Sequence, residues 1–381
     1  MILSRCLGEY KRAIAMCCIT RSPRSLSTAL PFALFRLKFK EKGIEEEKMK
    51  KVLITGGSGF IGYHLVRQLC QDNVSVRCLV RQNSSRSLLQ PFDVEYCLGE
   101  LGDTESLLKA VDGCDTIFHA AGLVRARNYR EFETVNRFGT ENLAQVAAQS
   151  ASPPVFVYVS SLSAAGYAKP NQPKRESDPP LPISNYGKSK LAGETTLLNF
   201  ADQMPCTIVR PGIVFGEADK MNFELFQTIK KIGFCPIPGF TDKFYSWIHA
   251  ADLCELLIAA AKNGERLASN QPIGTGIYFA SCDDGRKLSE IGCLIGRSFG
   301  KEHVRAVRCP PMAVWAVSTY YELKMRLTSK TQPFDWAKAW ESLYHWTCSP
   351  EKACSQLNFA PKPLDERINQ TSQWFVENGW G

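Results

Sequence analysis

From Lys51 onward, short apolar runs alternate with longer stretches of helical periodicity, and that alternation predicts β-α-β units built on a parallel sheet. Strands are predicted over 52–55, 74–80, 94–98, 116–119, 155–160 and 206–210, and helices over 60–71, 104–111, 132–149 and 186–201. The run Val155-Phe156-Val157-Tyr158-Val159 is apolar throughout, as expected of a strand covered on both faces. A proline-rich stretch, 169–182, reads as an irregular loop over the sheet edge. Similar breaks at 233–239 and 269–276 flank a predicted helix over 250–261. Residues 49–212 are therefore expected to form mainly the sheet unit. Residues 213–381 should form mainly a smaller, interleaved lobe, with some segments returning to the sheet and a cleft between the two. The apolar, aromatic stretch 311–327, with Trp315, Tyr320 and Tyr321, is expected to pack or to line a pocket rather than to touch a membrane.

Composition narrows the class without changing that picture. Apolar residues make up 44% and charged residues 22% of the 381, ordinary globular usage. The net charge of +8 is concentrated at the start of the chain: residues 1–48 hold ten basic and five acidic side chains, leaving +3 for the rest and no basic body for nucleic acid. Met49-Lys50-Lys51 directly precedes the first strand, so residues 1–48 are expected to be an extension outside the fold, with an organelle transit peptide as the alternative. No apolar run approaches the ~20 residues needed to span a bilayer. The 15 cysteines are scattered, with no C-x-x-C pair, and read as reduced thiols of a cytoplasmic protein. The five histidines, His64, His119, His249, His303 and His345, form no ligand spacing, and no metal is expected.

Two local motifs carry chemistry. In Val52-Leu53-Ile54-Thr55-Gly56-Gly57-Ser58-Gly59-Phe60-Ile61-Gly62 a strand runs through a glycine turn into a helix, the context for binding a dinucleotide pyrophosphate. Both Gly57-x-Gly59-x-x-Gly62 and Gly56-x-x-Gly59-x-x-Gly62 fit as registers. The second strand ends at Arg81 with no acid to bond a ribose 2′-hydroxyl. This favours NADP over NAD, with Arg81 as the main phosphate contact and Arg86 as a weaker one.

The second motif is Tyr186-x-x-x-Lys190 at a helix start, which puts the two side chains on one face. Bringing a phenol from a pKa of about 10 to near 7 needs about 4 kcal/mol. An ammonium at about 4 Å supplies roughly that at an effective dielectric of 20, so Lys190 is expected to acidify Tyr186. Such pairs also arise by chance. What strengthens this one is Ser160-Ser161-Leu162-Ser163 at the end of the fifth predicted strand, where a hydroxyl can orient a substrate oxygen.

Together these residues resemble the extended short-chain dehydrogenase/reductase superfamily, also called the NAD-dependent epimerase/dehydratase family. The resemblance runs from about Lys51 to the C-terminus. It rests on Thr55-Gly56-x-x-Gly59-Phe60-Ile61-Gly62, Phe118-His119-Ala120-Ala121, Asn136-x-x-Gly139-Thr140-x-Asn142-Leu143, Ser160-Ser161, Tyr186-x-x-x-Lys190 and Arg210-Pro211. It implies an α/β fold, a Rossmann-type doubly wound parallel sheet with a smaller interleaved C-terminal substrate lobe. It also implies Ser161 (with Ser163 as second choice), Tyr186 and Lys190 as catalytic residues. The implied cofactor contacts are Gly56, Gly59, Phe60, Ile61, Gly62, Arg81, Glu100, Leu101, Ala120, Ala121, Tyr186, Lys190 and Pro211. Two positions depart from the family pattern: Glu100 stands where an aspartate is usual, and Gly122 follows the Ala120-Ala121 pair. Leu79-Val80-Arg81, Leu357-Asn358-Phe359-x-Pro361 and Trp374-Phe375 are similar to the branch of 3β-hydroxysteroid dehydrogenases and dihydroflavonol reductases.

The expectation is an NAD(P)-dependent oxidoreductase interconverting a secondary alcohol and a ketone on a bulky, apolar small molecule. A nucleotide-sugar epimerase or dehydratase with tightly held NAD is the alternative, and a non-catalytic dinucleotide-binding regulator a second. The resemblance also raises a homodimer through the helices around Asn136 and Tyr186.

Overall fold

The computed structural model describes residues 49–328 and 336–380, and the expectations for residues 1–48 lie outside the described residues. The strands are β1 (Lys51–Thr55), β2 (Ser75–Val80), β3 (Val94–Leu98), β4 (Thr116–His119), β5 (Val155–Val159), β6 (Cys206–Pro211), β7 (Ile213–Phe215), β8 (Phe234–Pro238), β9 (Phe244–Tyr245), β10 (Trp247–His249), β11 (Ile277–Ala280), β12 (Arg286–Lys287) and β13 (Arg305–Cys309). Seven of them form one parallel sheet in the order β11-β6-β5-β4-β1-β2-β3. The six strands expected from the apolar runs are all in it. β11, which follows a glycine-rich break, was not anticipated. The strand order reverses between β1 and β4, and in open α/β sheets the carboxyl ends of the strands at such a switch point are where ligands bind.

Between the strands lie α1 (Phe60–Gln71), α2 (Thr104–Val111), α3 (Tyr129–Phe132), a π-helical segment (Glu133–Phe138), α4 (Gly139–Ala148), α5 (Leu162–Ala165) and α6 (Asn185–Leu198). The later helices are α7 (Phe223–Ile232), α8 (Ala250–Asn263), α9 (Leu288–Ser298), α10 (Pro311–Thr328), α11 (Trp336–Glu341), α12 (Glu351–Leu357) and α13 (Leu364–Glu377). Side chains alternate across a strand, so β1 sends Val52 and Ile54 to one face and Leu53 to the other. The first face is covered by α1, α8 and α12, through residues such as Leu65, Leu257 and Ala353. The second is covered by α2, α4 and α6, through Leu107, Leu143 and Leu197. A third core, with Phe215, Phe226, Trp247, Ile291 and Phe375, builds the lobe.

Arg77 lies buried on β2, where its Nη1 donates to the carbonyls of Lys109, Ala110 and Asp112 at the end of α2. A cation at that helix end is favoured by the helix dipole. The single helix expected over 132–149 is instead α3, the π segment and α4. One extra residue in a turn hardly disturbs a hydrophobic period, so the pattern did not reveal it. The proline-rich stretch is tied to the C-terminal part of the chain through bridges Ala168–His345 and Lys174–Cys348.

Candidate active site

Every candidate residue of the sheet half lies at the carboxyl edge of the sheet. Gly56 follows β1 with φ +74°, and a Cβ there would stand 2.7 Å from the Ala121 nitrogen. A Cβ on Gly62 would stand 2.1 Å from the Gly56 carbonyl oxygen, and one on Gly57 2.7 Å from Cys78 Sγ. The turn therefore admits no side chains where it meets α1. Gly59 is the N-cap of α1, and no side chain caps the helix. An uncapped helix N-terminus, approached through a turn whose only side chain is that of Ser58, fits the pyrophosphate of a dinucleotide. Phe60 and Ile61 form the first turn of that helix, half-buried.

Arg81 follows β2 and is exposed, its N–H bonded to Ser84 Oγ, while Arg86 lies over the Tyr96 ring at 5.1 Å. Beyond β3, Glu100 is exposed. Its N–H bonds Ser106 Oγ, and the Leu101 carbonyl accepts from Asn142 Nδ2 at 2.9 Å. The backbone of the adenine-side turn is thus held, whereas the Glu100 carboxylate is left to solvent. Ala120 and Ala121 follow β4 and bond back to Thr55, and Pro211 ends β6 beside β11.

Beneath this sheet edge runs a chain of buried hydrogen bonds. Thr140 Oγ1 donates to the Asn136 carbonyl at 2.8 Å, so it accepts from His119 Nε2–H at 2.9 Å. Ala121 N–H points at Thr55 Oγ1, whose own proton goes to His119 Nδ1 at 2.6 Å. The network thereby assigns the neutral Nε2–H tautomer of His119. Burial, with Lys190 nearby, pushes its pKa down to about 3. Asn136, in the π segment, accepts from Leu123 N–H at 2.7 Å and donates to the Leu123 carbonyl and to Ser189 Oγ.

Ser161 caps α5, its Oγ accepting from Ser163 N–H at 3.1 Å. Its hydroxyl lies close enough to the Tyr186 phenol to favour the ionised form, and Tyr186 sits at the start of α6 with its ring tilted against Phe132 at 6.1 Å. Ser163 turns its carbonyl to Gly187, where a Cβ would approach it to 2.3 Å. The structure therefore brings Ser161, not Ser163, to the tyrosine.

The expected effect of Lys190 needs correcting. Its ammonium donates to the Val159 carbonyl at 2.7 Å and lies 4.2 Å from the centre of the Tyr158 ring. Burial pushes its pKa down to about 7, against the pull of Glu194. Tyr186, far from being acidified, is raised above its ordinary value by burial, with Ser161 and Lys338 working the other way. The expectation counted the Coulomb attraction and omitted desolvation, which penalises both charged forms at once.

Three groups around this centre were missed. Glu194, one turn beyond Lys190, is buried and held by Arg210 through both carboxylate oxygens and by Ser160; an acid at i+4 on a buried helix face was the available signal. Lys338 of α11 reaches over the Tyr186 ring at 5.7 Å and pairs with Glu341 at 2.7 Å. Nothing local in the sequence connects α11 to Tyr186. Nearby, Tyr344 packs at a tilt against Tyr167 at 4.4 Å and edge to face against Trp340 at 5.5 Å, giving the region an aromatic border. Of the aromatic stretch expected to line a pocket, Trp315 meets Trp340 while Tyr320 faces solvent.

Residues 52–275 match the profile of the NAD dependent epimerase/dehydratase family. The chain belongs to that family. Among its relatives, a ceramide reductase of Caulobacter vibrioides is 29% identical over 335 residues, covering 86% of this chain and 95% of that protein. A decarboxylating sterol-4-alpha-carboxylate 3-dehydrogenase of Candida albicans is 24% identical, covering 87% and 99%. The NAD complex of Thermus thermophilus UDP-glucose 4-epimerase superposes with a TM-score of 0.66 at 21% identity over 86% of this chain and 99% of that one, which bears on the fold. This member of the epimerase/dehydratase family is an NAD(P)-dependent enzyme of the oxidoreductase type, using a nicotinamide dinucleotide. Among its described residues no helix is long and apolar enough to cross a membrane, and no group of three or more His, Cys, Asp or Glu side chains could hold a metal.

Proposed function

We propose that the protein reduces a ketone to a secondary alcohol on a bulky, lipid-like substrate, using NADPH. The observation that carries this reading is the approach of the Ser161 hydroxyl to the buried Tyr186 phenol, at the same sheet edge as the uncapped glycine turn. The chemistry a bound nicotinamide supplies is hydride exchange with a carbonyl or carbinol carbon. Tyr186, kept protonated at neutral pH by burial, gives its proton to the carbonyl oxygen, and Ser161 orients that oxygen. A raised phenol pKa suits this direction, because oxidation of an alcohol calls for the phenolate. Lys190 holds the ribose side. Gly56, Gly59, Phe60, Ile61 and Gly62 receive the pyrophosphate, and Glu100 and Leu101 border the adenine. Ala120, Ala121 and Pro211 border the nicotinamide side.

NADP is favoured over NAD by Arg81, exposed at the end of β2. A lipid-like substrate is supported by the aromatic border and by relatives named for ceramide and sterol chemistry. In this reading residues 49–212 mainly carry the cofactor and 213–381 mainly the substrate, in a cytoplasmic enzyme. A homodimer would use the outer sides of the π segment and α6, where Phe138 and Leu198 are exposed.

The test is to incubate the enzyme with NADPH and a panel of long-chain keto-lipids and keto-sterols. Nicotinamide oxidised in step with ketone consumed is the expected result. Conversion of a substrate with no net change in nicotinamide would replace this reading with an epimerase or dehydratase.

A further inference from the structure

Helix α10 is apolar on its covered side and also presents an apolar side to solvent. Val314 and Ser318 point inward, and Trp315 meets Trp340 of α11, while Trp336 Nε1 donates to Thr319 Oγ1 at 3.1 Å. At 100° per residue the outward arc collects Met312, Ala316, Val317, Tyr320, Leu323 and Leu327. Both Met312 and Leu327 are 86% exposed, so the strip runs the length of an 18-residue helix, about 27 Å. A contiguous apolar strip of this size on a water-soluble surface calls for a partner.

The charges around it identify the partner. Residues 301–328 carry five basic and two acidic side chains. Arg305 and Arg308 are exposed on β13, which leads directly into α10, and Lys324 lies on the outward arc itself. One of the two acids, Glu322, sits on the half-buried side. Phe240 adds an exposed aromatic near the start of the helix: Gly239 N–H bonds the Cys309 carbonyl just before α10 begins, and Phe240 follows Gly239 in the chain. Two copies meeting through this face would bring like charges together. An anionic surface would attract them while the strip enters the headgroup boundary.

We propose that α10 is an interfacial helix that lays the protein on an anionic lipid bilayer. It lies on the membrane and does not span it. Through α11, which carries Lys338 over Tyr186, the docked face is connected to the candidate active site.

The experiment is sedimentation of the full chain with vesicles of phosphatidylcholine containing a third phosphatidylglycerol, and with phosphatidylcholine alone. NADPH binding is measured in parallel by fluorescence. The expected result is binding to the anionic vesicles that weakens with salt. It should fall at least about tenfold in Leu323→Glu/Leu327→Glu and about tenfold in Arg305→Gln/Arg308→Gln. NADPH binding should stay the same in every variant. The arginine pair decides the matter if the leucine pair fails to fold. No binding to anionic vesicles, or binding that survives both double variants, overturns the proposal. So does a dimer by light scattering that dissociates in the leucine variant while vesicles are ignored. In each of those cases retained NADPH binding leaves the oxidoreductase reading standing.

Discussion

At the glycine turn, neighbouring residues in sequence are neighbours in space: Gly56, Gly59 and Gly62 meet within one strand–helix junction, and the family match spans them. Above Tyr186 the opposite holds, because Lys338, Glu341 and Tyr344 arrive from the far end of the chain to meet Tyr186 and Tyr167. The first region is built by backbone conformation and steric exclusion, which leave a strong mark on sequence. The second is built by long-range packing, which leaves almost none. Cofactor binding is therefore expected to be sensitive to small changes in a few glycines, whereas the substrate side should be tuned gradually by residues scattered along the chain.

The largest effect should come where the two regions meet. Tyr186→Phe is expected to lower kcat about a thousandfold while cofactor affinity, read by NADPH fluorescence, hardly changes. A matching loss of cofactor affinity would make the tyrosine part of the cradle instead. Within the cradle, Gly62→Val must place a Cβ 2.1 Å from the Gly56 carbonyl oxygen, and NADPH affinity should fall about a hundredfold or more by titration.

Stability against pH probes the support beneath the cradle. His119 is held neutral, its pKa pushed down to about 3 by burial and Lys190, and His64 is pushed down to about 4 by burial against the pull of Glu217. Between about pH 6.5 and 4 the unfolded chain takes up protons that these native imidazoles refuse. Stability is thus present above that window and lost as pH falls through it, by up to about 3 kcal/mol per histidine. Denaturant melts across this range should show the decline, and His119→Asn should flatten it. An unchanged slope in the variant would remove His119 from the account.

Smaller effects sharpen the contrast. Arg81→Ala should weaken NADP binding about tenfold and NAD binding less than about twofold, measured side by side; equal losses would refute the 2′-phosphate role. Lys338→Met removes the lobe's cation from above Tyr186 and leaves Glu341 unopposed. The phenol pKa should then move further up, seen as an upward shift of the basic limb of the pH–rate profile, with a change under about twofold at neutral pH. A downward shift would show that the lobe does not act on the tyrosine electrostatically.

Much of this was legible before any coordinates. Apolar runs located six of the seven sheet strands, because a strand buried on both faces tolerates little else, while the edge strand β3 carries exposed positions such as Glu95. β11 escaped notice because its four residues follow a glycine-rich break and lie far along the chain from β6, their partner. In the site, Ser161 and Tyr186 lie near one another, as expected of residues at a strand end and a helix start, while the phenol is raised by burial rather than lowered by Lys190. A Coulomb estimate from spacing alone carries no information on how dry the site is.

By itself the amino-acid order determined the β-α-β alternation, the glycine turn and the placement of hydroxyl, phenol and ammonium at strand and helix ends. These follow from local steric rules that act over a few residues. Only the tertiary structure decided that His119 is neutral, that Lys190 is driven towards neutrality, and that α11 closes over Tyr186. It also decided that α10 turns an apolar face outward. Burial is a property of the whole packed chain, and it is burial that determines both the cost of a charge and the meaning of an exposed leucine.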